Sequence, residues 1–134
     1  MPSSDPITIP KVLTLVAMLQ PASIIDVGFG NGRYGFLFRE ILDFNYGRLS
    51  PGEWATRIDG VEIDMNYLSP VQSFVYDKVY KEDWLTLPVE RLYDLAFMGD
   101  VLEHWPDSQW RYALAKAKQS ASHVIVVAPN WLGS

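Results

Sequence analysis

Apolar side chains at Ile9, Val12, Leu13, Val16, Ala17 and Leu19 recur at helical spacing, and Pro21 stops the pattern. The next run, Ser23-Ile24-Ile25-Asp26-Val27, is short, apolar and closed by a glycine cluster, which predicts a buried strand entering a tight turn. A second helical period follows at once in Tyr34, Leu37, Phe38, Ile41 and Leu42, predicting a helix from Tyr34 to Phe44. Asn45 to Thr56 reads as a polar connection containing Gly and Pro. Arg57 to Ile63 is the second predicted strand, and Ser69-Pro70 opens a short helix to Phe74 with proline at the first helical position. Asp77 to Tyr80, Tyr93 to Met98 and His123 to Ala128 are the third, fourth and fifth strands, the last containing the β-branched run Val124-Ile125-Val126-Val127. Between the last two, Ser108 to Ser120 is rich in Ala and Lys and reads as a helix. Strands alternating with helices predict βαβ units, a parallel sheet covered on both faces and an α/β fold.

The length of 134 residues suits one domain, 1–134, in which residues 1–21 form a leading segment and helix. A content of 49% hydrophobic and 20% charged residues is enough for a packed core and too apolar for a disordered chain. Eleven Lys and Arg against sixteen Asp and Glu leave a net charge of −5, so no basic field exists to hold a nucleic-acid backbone, and a nucleic-acid partner is not expected. The absence of cysteine excludes disulfides, thiolate zinc sites and a cysteine nucleophile, which fits a cytoplasmic location. The apolar run Val12 to Leu19 is far short of the roughly 18 residues of a spanning helix, and the N-terminus lacks the charge pattern of a secretory signal. No membrane partner is expected.

The candidate chemistry concentrates in Asp26-Val27-Gly28-Phe29-Gly30-Asn31-Gly32-Arg33-Tyr34-Gly35. Glycines let a backbone turn sharply against a ligand, and free amides at a helix start favour an anionic group. Two patterns overlap: an acid followed by Gly28, Gly30 and Gly32, and a Gly-x-G-x-x-Gly stretch from Gly30 to Gly35 that matches the dinucleotide fingerprint. A carboxylate at Asp26 would repel a pyrophosphate. It would pair with the ammonium of an amino-acid moiety whose carboxylate sits on bare loop amides, and the methionine end of S-adenosylmethionine is such a zwitterion. The dinucleotide reading also expects an acid about 20 residues on, whereas Glu62 and Asp64 lie beyond the long connection.

Asp26-Val27-Gly28-Phe29-Gly30-Asn31-Gly32 resembles motif I of the class I S-adenosylmethionine-dependent methyltransferases, and Gly60-Val61-Glu62-Ile63-Asp64 resembles the second motif. Tyr93 to His104 is similar to the fourth-strand motif, and Val126-Val127-Ala128-Pro129-Asn130 to the end of the fifth strand. Gly32 to Leu37 with Arg39-Glu40 also resembles a bacterial and archaeal subgroup of small methyltransferases. The resemblance implies a Rossmann-like three-layer α/β/α sandwich with sheet order 3-2-1-4-5. The family's strands 6 and 7 are expected to be missing from this sequence, which leaves the fifth strand as an apolar edge suited to homodimer pairing.

The same resemblance implies S-adenosylmethionine as cofactor, bound by Asp26, Gly28, Phe29, Gly30, Asn31, Gly32, Glu62, Ile63, Asp83, Trp84, Asp100 and Val101. Glu62 would accept hydrogen bonds from the ribose hydroxyls, with Asp64 its rival if the register slips; Asp83 would contact the adenine amino group, with Trp84 as an apolar wall or as core. Asp100 and His104 are the candidate catalytic residues, His104 as a general base because imidazole titrates near neutrality. The spacing of Asp100, Glu103 and His104 also resembles the metal ligands of small-RNA 2′-O-methyltransferases, but no further histidine is suitably placed and no metal is expected. Phe29, Tyr34, Trp105 and Trp131 are candidates to border an acceptor pocket, the acceptor being a small molecule or a macromolecule. The expected function is methyl transfer to an unidentified acceptor. A noncatalytic cofactor-binding or dimerising module and an NAD-dependent oxidoreductase are the alternatives.

Overall fold

The computed structural model describes residues 6–128. Five strands, β1 (Ser23–Val27), β2 (Arg57–Val61), β3 (Lys78–Tyr80), β4 (Tyr93–Gly99) and β5 (Ala121–Val127), form one sheet in the order β3-β2-β1-β4-β5. Every neighbouring pair is parallel. The predicted fold class and strand order are the observed ones.

The helices are α1 (Ile9–Leu19), α2 (Arg33–Leu42), α3 (Pro70–Val75) and α4 (Asp107–Ser120). Alternation along the strands decides what each covers. Ile24, Leu95 and Phe97 point to one face, where they meet Val12 and Val16 of α1, Phe38 of α2 and Val75 of α3. Ile25, Val27, Ala96 and Met98 point to the other, where Trp110, Ala113 and Ala117 of α4 close over them. Ser69 caps α3 in a reciprocal arrangement: its amide and hydroxyl donate to Gln72 Oε1 at 2.7 and 2.8 Å, and its Oγ accepts from the Val71 amide at 3.3 Å.

Three boundaries differ from the sequence reading by two residues, and several others by one. Helix α2 stops at Leu42 and not at Phe44, because Asp43 leaves the helix and its Oδ1 accepts from Arg48 Nε and the Ala55 amide, both at 2.8 Å. Strand β2 ends at Val61, so Glu62 and Ile63 lie just past its carboxyl end. Strand β5 begins at Ala121, immediately after α4, without a separating loop. Its outer edge carries no strand among the described residues. Pro129, Asn130 and Trp131 lie outside those residues.

The amino ends of β2 and β3 are tied by Arg39, whose side chain is fully buried. Its Nη1 donates to Asp43 Oδ2 at 2.8 Å and the Thr56 carbonyl at 2.6 Å, and its Nη2 donates to the Val75 carbonyl at 2.7 Å and Asp77 Oδ2 at 3.3 Å. The guanidinium also lies 3.8 Å from the centroid of a Trp54 ring. Nearby, buried Asp59 accepts from the Tyr93 hydroxyl at 2.6 Å and from Arg57 Nε at 3.0 Å.

Candidate functional site

Parallel α/β sheets place ligands beyond the carboxyl ends of their strands, where the strand order reverses. Here that point lies between β1 and β4. A cavity of about 280 Å³ opens there, near the lower bound for small-molecule sites, about 300 Å³. Val27, Gly28 and Gly30 line it from β1, Val61, Glu62, Ile63 and Asp64 from β2, and Glu82, Asp83 and Trp84 from the turn after β3. Gly99, Asp100 and Val101 line it from β4, with His104, Trp105 and Tyr67 at its margin.

The glycine loop is shaped by close contacts. Gly28 has φ +72°, and a Cβ there would stand 2.4 Å from Val101 Cγ2, so only glycine lets β1 and the β4 turn meet. Gly35 has a different task. A Cβ on it would stand 2.4 Å from the Tyr76 hydroxyl, so its place in the apparent Gly-x-Gly-x-x-Gly pattern reflects packing beneath the loop.

The loop's donors correct one expectation. The Gly28 and Phe29 amides donate to the Val61 carbonyl at 2.7 and 3.3 Å, the Gly32 amide to the Phe29 carbonyl at 2.9 Å, and the Gly30 amide to Glu62 Oε1 at 2.9 Å. These four amides are not bare; β2 satisfies two of them and Glu62, just past its end, a third. Glu62 Oε2 accepts from the Asp64 amide at 3.0 Å, so the carboxylate is held in one orientation. Each carboxylate oxygen has a second lone pair, which leaves Glu62 able to accept from a neighbouring diol.

Asp26 also differs from its expected position. It points to the face covered by α1, α2 and α3, is 2% exposed, and accepts from the Tyr76 hydroxyl at 2.6 Å. Burial pushes its carboxyl up to about 7, with nearby Glu62 adding to the rise and the Tyr76 hydrogen bond opposing it. Burial and the adjoining Asp26 likewise hold the Tyr76 phenol well above its usual range. Asp26 therefore supports the loop from beneath and does not line the cavity. Phe29 packs against Tyr76 at a ring separation of 4.9 Å, Asn31 is exposed, and Gly32 is the N-cap of α2; none of the three lines the cavity.

The other expected site residues converge. Asp83 Oδ1 accepts from the Leu85 amide at 3.0 Å, and Trp84 is buried with its Nε1 donating to the Ala113 carbonyl at 3.1 Å, so Trp84 is both wall and core. Asp100 has φ +52°, an uncommon conformation for a residue with a Cβ, fixed by its amide donating to the Val127 carbonyl at 2.7 Å. No hydrogen bond or ion pair engages its carboxylate among the described residues. His104 is exposed at the margin, and Tyr34 is buried between Phe38 and Phe97, away from the cavity. Among the described residues no group of three or more His, Asp or Glu is placed to hold a metal ion. Tyr67, Glu82 and Gly99 were not singled out from the sequence; Glu82 and Gly99 adjoin candidates that were, whereas nothing local marks Tyr67.

No protein-family model and no curated protein sequence matches the chain. Solved structures do. The magnesium protoporphyrin IX methyltransferase from Synechocystis, with S-adenosylmethionine bound, is 17% identical with a TM-score of 0.70, over 92% of this chain and 59% of that one. The N-methyltransferase NodS from Bradyrhizobium japonicum, with S-adenosylhomocysteine, is 16% identical with a TM-score of 0.57, over 84% and 56%. The 1,6-didemethyltoxoflavin N1-methyltransferase from Burkholderia thailandensis is 22% identical with a TM-score of 0.62, over 84% and 46%. The chain thus spans about half the length of these enzymes. Its sheet order, helix placement and glycine loop give it the fold of the class I S-adenosylmethionine-dependent methyltransferases.

Proposed function

We propose that the chain binds S-adenosylmethionine in this cavity and catalyses methyl transfer to an acceptor. The observation that carries the reading is the convergence of Glu62, Asp83 and the Gly28–Gly30 loop on one cavity at the carboxyl ends of the strands. Glu62, already oriented by two main-chain amides, takes the ribose hydroxyls; Asp83 and the wall of Trp84 take the adenine. The methionine end then lies over β1 at Gly28, with its sulfonium turned toward the β4 side of the cavity. The sulfonium supplies an activated methyl group, so the protein's part is to align the nucleophile, exclude water and accept a proton. His104, exposed at the margin, is placed to pass that proton to solvent.

The dinucleotide alternative is disfavoured by charge. Glu62, Asp64, Glu82, Asp83 and Asp100 line the cavity with neither Lys nor Arg among the described lining residues, a poor surrounding for a pyrophosphate. Gly35, which that reading needs at the phosphate, belongs to the packing of Tyr76.

Calorimetry with S-adenosylhomocysteine on the wild type and Glu62→Gln tests the reading. Micromolar binding to the wild type is expected, weakened about tenfold in the variant, the consequence of losing one charge-assisted hydrogen bond. Tight NADH binding without S-adenosylhomocysteine binding would refute it. Binding without transfer to any acceptor would support the noncatalytic module.

A further inference from the structure

The acidic side chains of the cavity far outnumber the basic ones. Five carboxylates line a volume of about 280 Å³, and the described lining residues include neither Lys nor Arg. Three have evident duties: Glu62 holds the Gly30 and Asp64 amides, Asp83 the Leu85 amide, and Asp64 Oδ1 the Asn66 amide at 3.0 Å. Glu82 is exposed at the rim. Asp100, half-buried on the β4 side of the crevice, has a carboxylate engaged by nothing among the described residues. Its backbone is pinned at φ +52° by the bond to Val127. Phosphate, carboxylate and sulfate acceptors would be repelled by this lining, and a neutral hydroxyl could donate a hydrogen bond to it without the added attraction between opposite charges. An amine has both the sign and the N–H donors that an unengaged carboxylate lacks.

Resting on the cofactor reading above, we propose that the methyl acceptor is an amine and that Asp100 orients it through an N–H···O hydrogen bond. The amine enters as an ammonium ion and loses one proton to solvent, with His104 at the margin as relay. Its lone pair then forms the N–CH₃ bond while the S–CH₃ bond breaks, the electron pair of the broken bond returning to sulfur to leave a neutral thioether. The positive charge moves to the methylated nitrogen, whose remaining N–H stays on Asp100 until a proton leaves and the product departs.

Three probes isolate the nitrogen: S-adenosylhomocysteine, neutral at the reacting position; S-adenosylmethionine, cationic but without an N–H there; and sinefungin, which carries an amine in place of the methylsulfonium. Calorimetry on the wild type is expected to give sinefungin about tenfold tighter binding than either of the others. Asp100→Asn, an exchange the left-handed backbone tolerates, should abolish that advantage, weakening sinefungin about tenfold more than it weakens S-adenosylhomocysteine. Should Asp100→Asn fail to fold, Asp100→Gly, which suits the same φ, serves instead. Equal affinities for the three probes on the wild type overturn the proposal. Equal gains for sinefungin and S-adenosylmethionine overturn it too, since they mean that charge is sensed without an N–H. So does a uniform loss for all three in the variant, which would put Asp100 on the amino-acid end. Failure of all three to bind would sink the cofactor reading itself.

Discussion

Replacing Asp26 by asparagine should change how stability depends on pH, and the structure sets the sign. The wild-type carboxyl is buried beneath the glycine loop, and its pKa moves from an ordinary 3.8 to about 7. A carboxyl that holds its proton longer in the folded state stabilises the fold fully below the unfolded value and loses that contribution as pH rises to about 7. The interval spans about three pH units at about 1.4 kcal/mol each, a total of roughly 4 kcal/mol. Roughly 2.5 kcal/mol of this falls between pH 5 and pH 8. Asp43, whose carboxyl is lowered by its hydrogen bonds to Arg48 and Arg39 against the opposing effect of burial, acts in the reverse sense. It loses stability only as pH falls through the acid range, so it leaves this window clear. Asparagine keeps an acceptor for the Tyr76 hydroxyl and carries no charge. Urea unfolding followed by tryptophan fluorescence at half-unit steps from pH 5 to 8 should show wild-type stability falling by about 2.5 kcal/mol while that of Asp26→Asn stays level, with equal m-values. Parallel curves for the two proteins would refute the assignment of a buried, proton-retaining acid at this position.

Arg39→Ala should cost about 3–5 kcal/mol in the same assay, because it leaves the buried Asp43 and two carbonyls without their shared donor; a loss under about 1 kcal/mol would contradict the role described. Gly35→Ala offers a reversed expectation. Alanine in an exposed helix interior usually gains about 1 kcal/mol over glycine, yet here its Cβ meets the Tyr76 hydroxyl and pushes it off Asp26. The expected outcome is a loss of about 2 kcal/mol, and a gain would show that Tyr76 moves aside freely.

Local pattern predicted the elements well where one strong signal ended on another. Strand β1 was read at its observed limits because its apolar run stops at Gly28, and the start of α3 because Ser69-Pro70 marks it, its end falling one residue beyond the predicted Phe74. What was not legible depends on partners distant in sequence. Asp26 looked like a ligand group from its neighbours, but its orientation is set by Tyr76, fifty residues on. The Gly28, Phe29 and Gly30 amides looked free because the Val61 carbonyl and Glu62 that occupy them lie at and just past the end of a different strand. Arg39 enters the sequence reading only through a motif resemblance, because its partners Thr56, Val75 and Asp77 lie far along the chain. The cavity's residues were more readable, since Glu62 falls near the carboxyl end of a predicted strand and Asp83 and Asp100 each follow one, and a parallel sheet gathers such positions at one end.

The buried arginine that clasps Thr56, Val75 and Asp77 sits where β2 and β3 begin, a full strand length away from the acids with which those strands finish. Cohesion and chemistry are thereby assigned to opposite poles of the molecule. Substitutions at the rim can therefore alter what the cavity accepts without loosening the hub that keeps the layers in register.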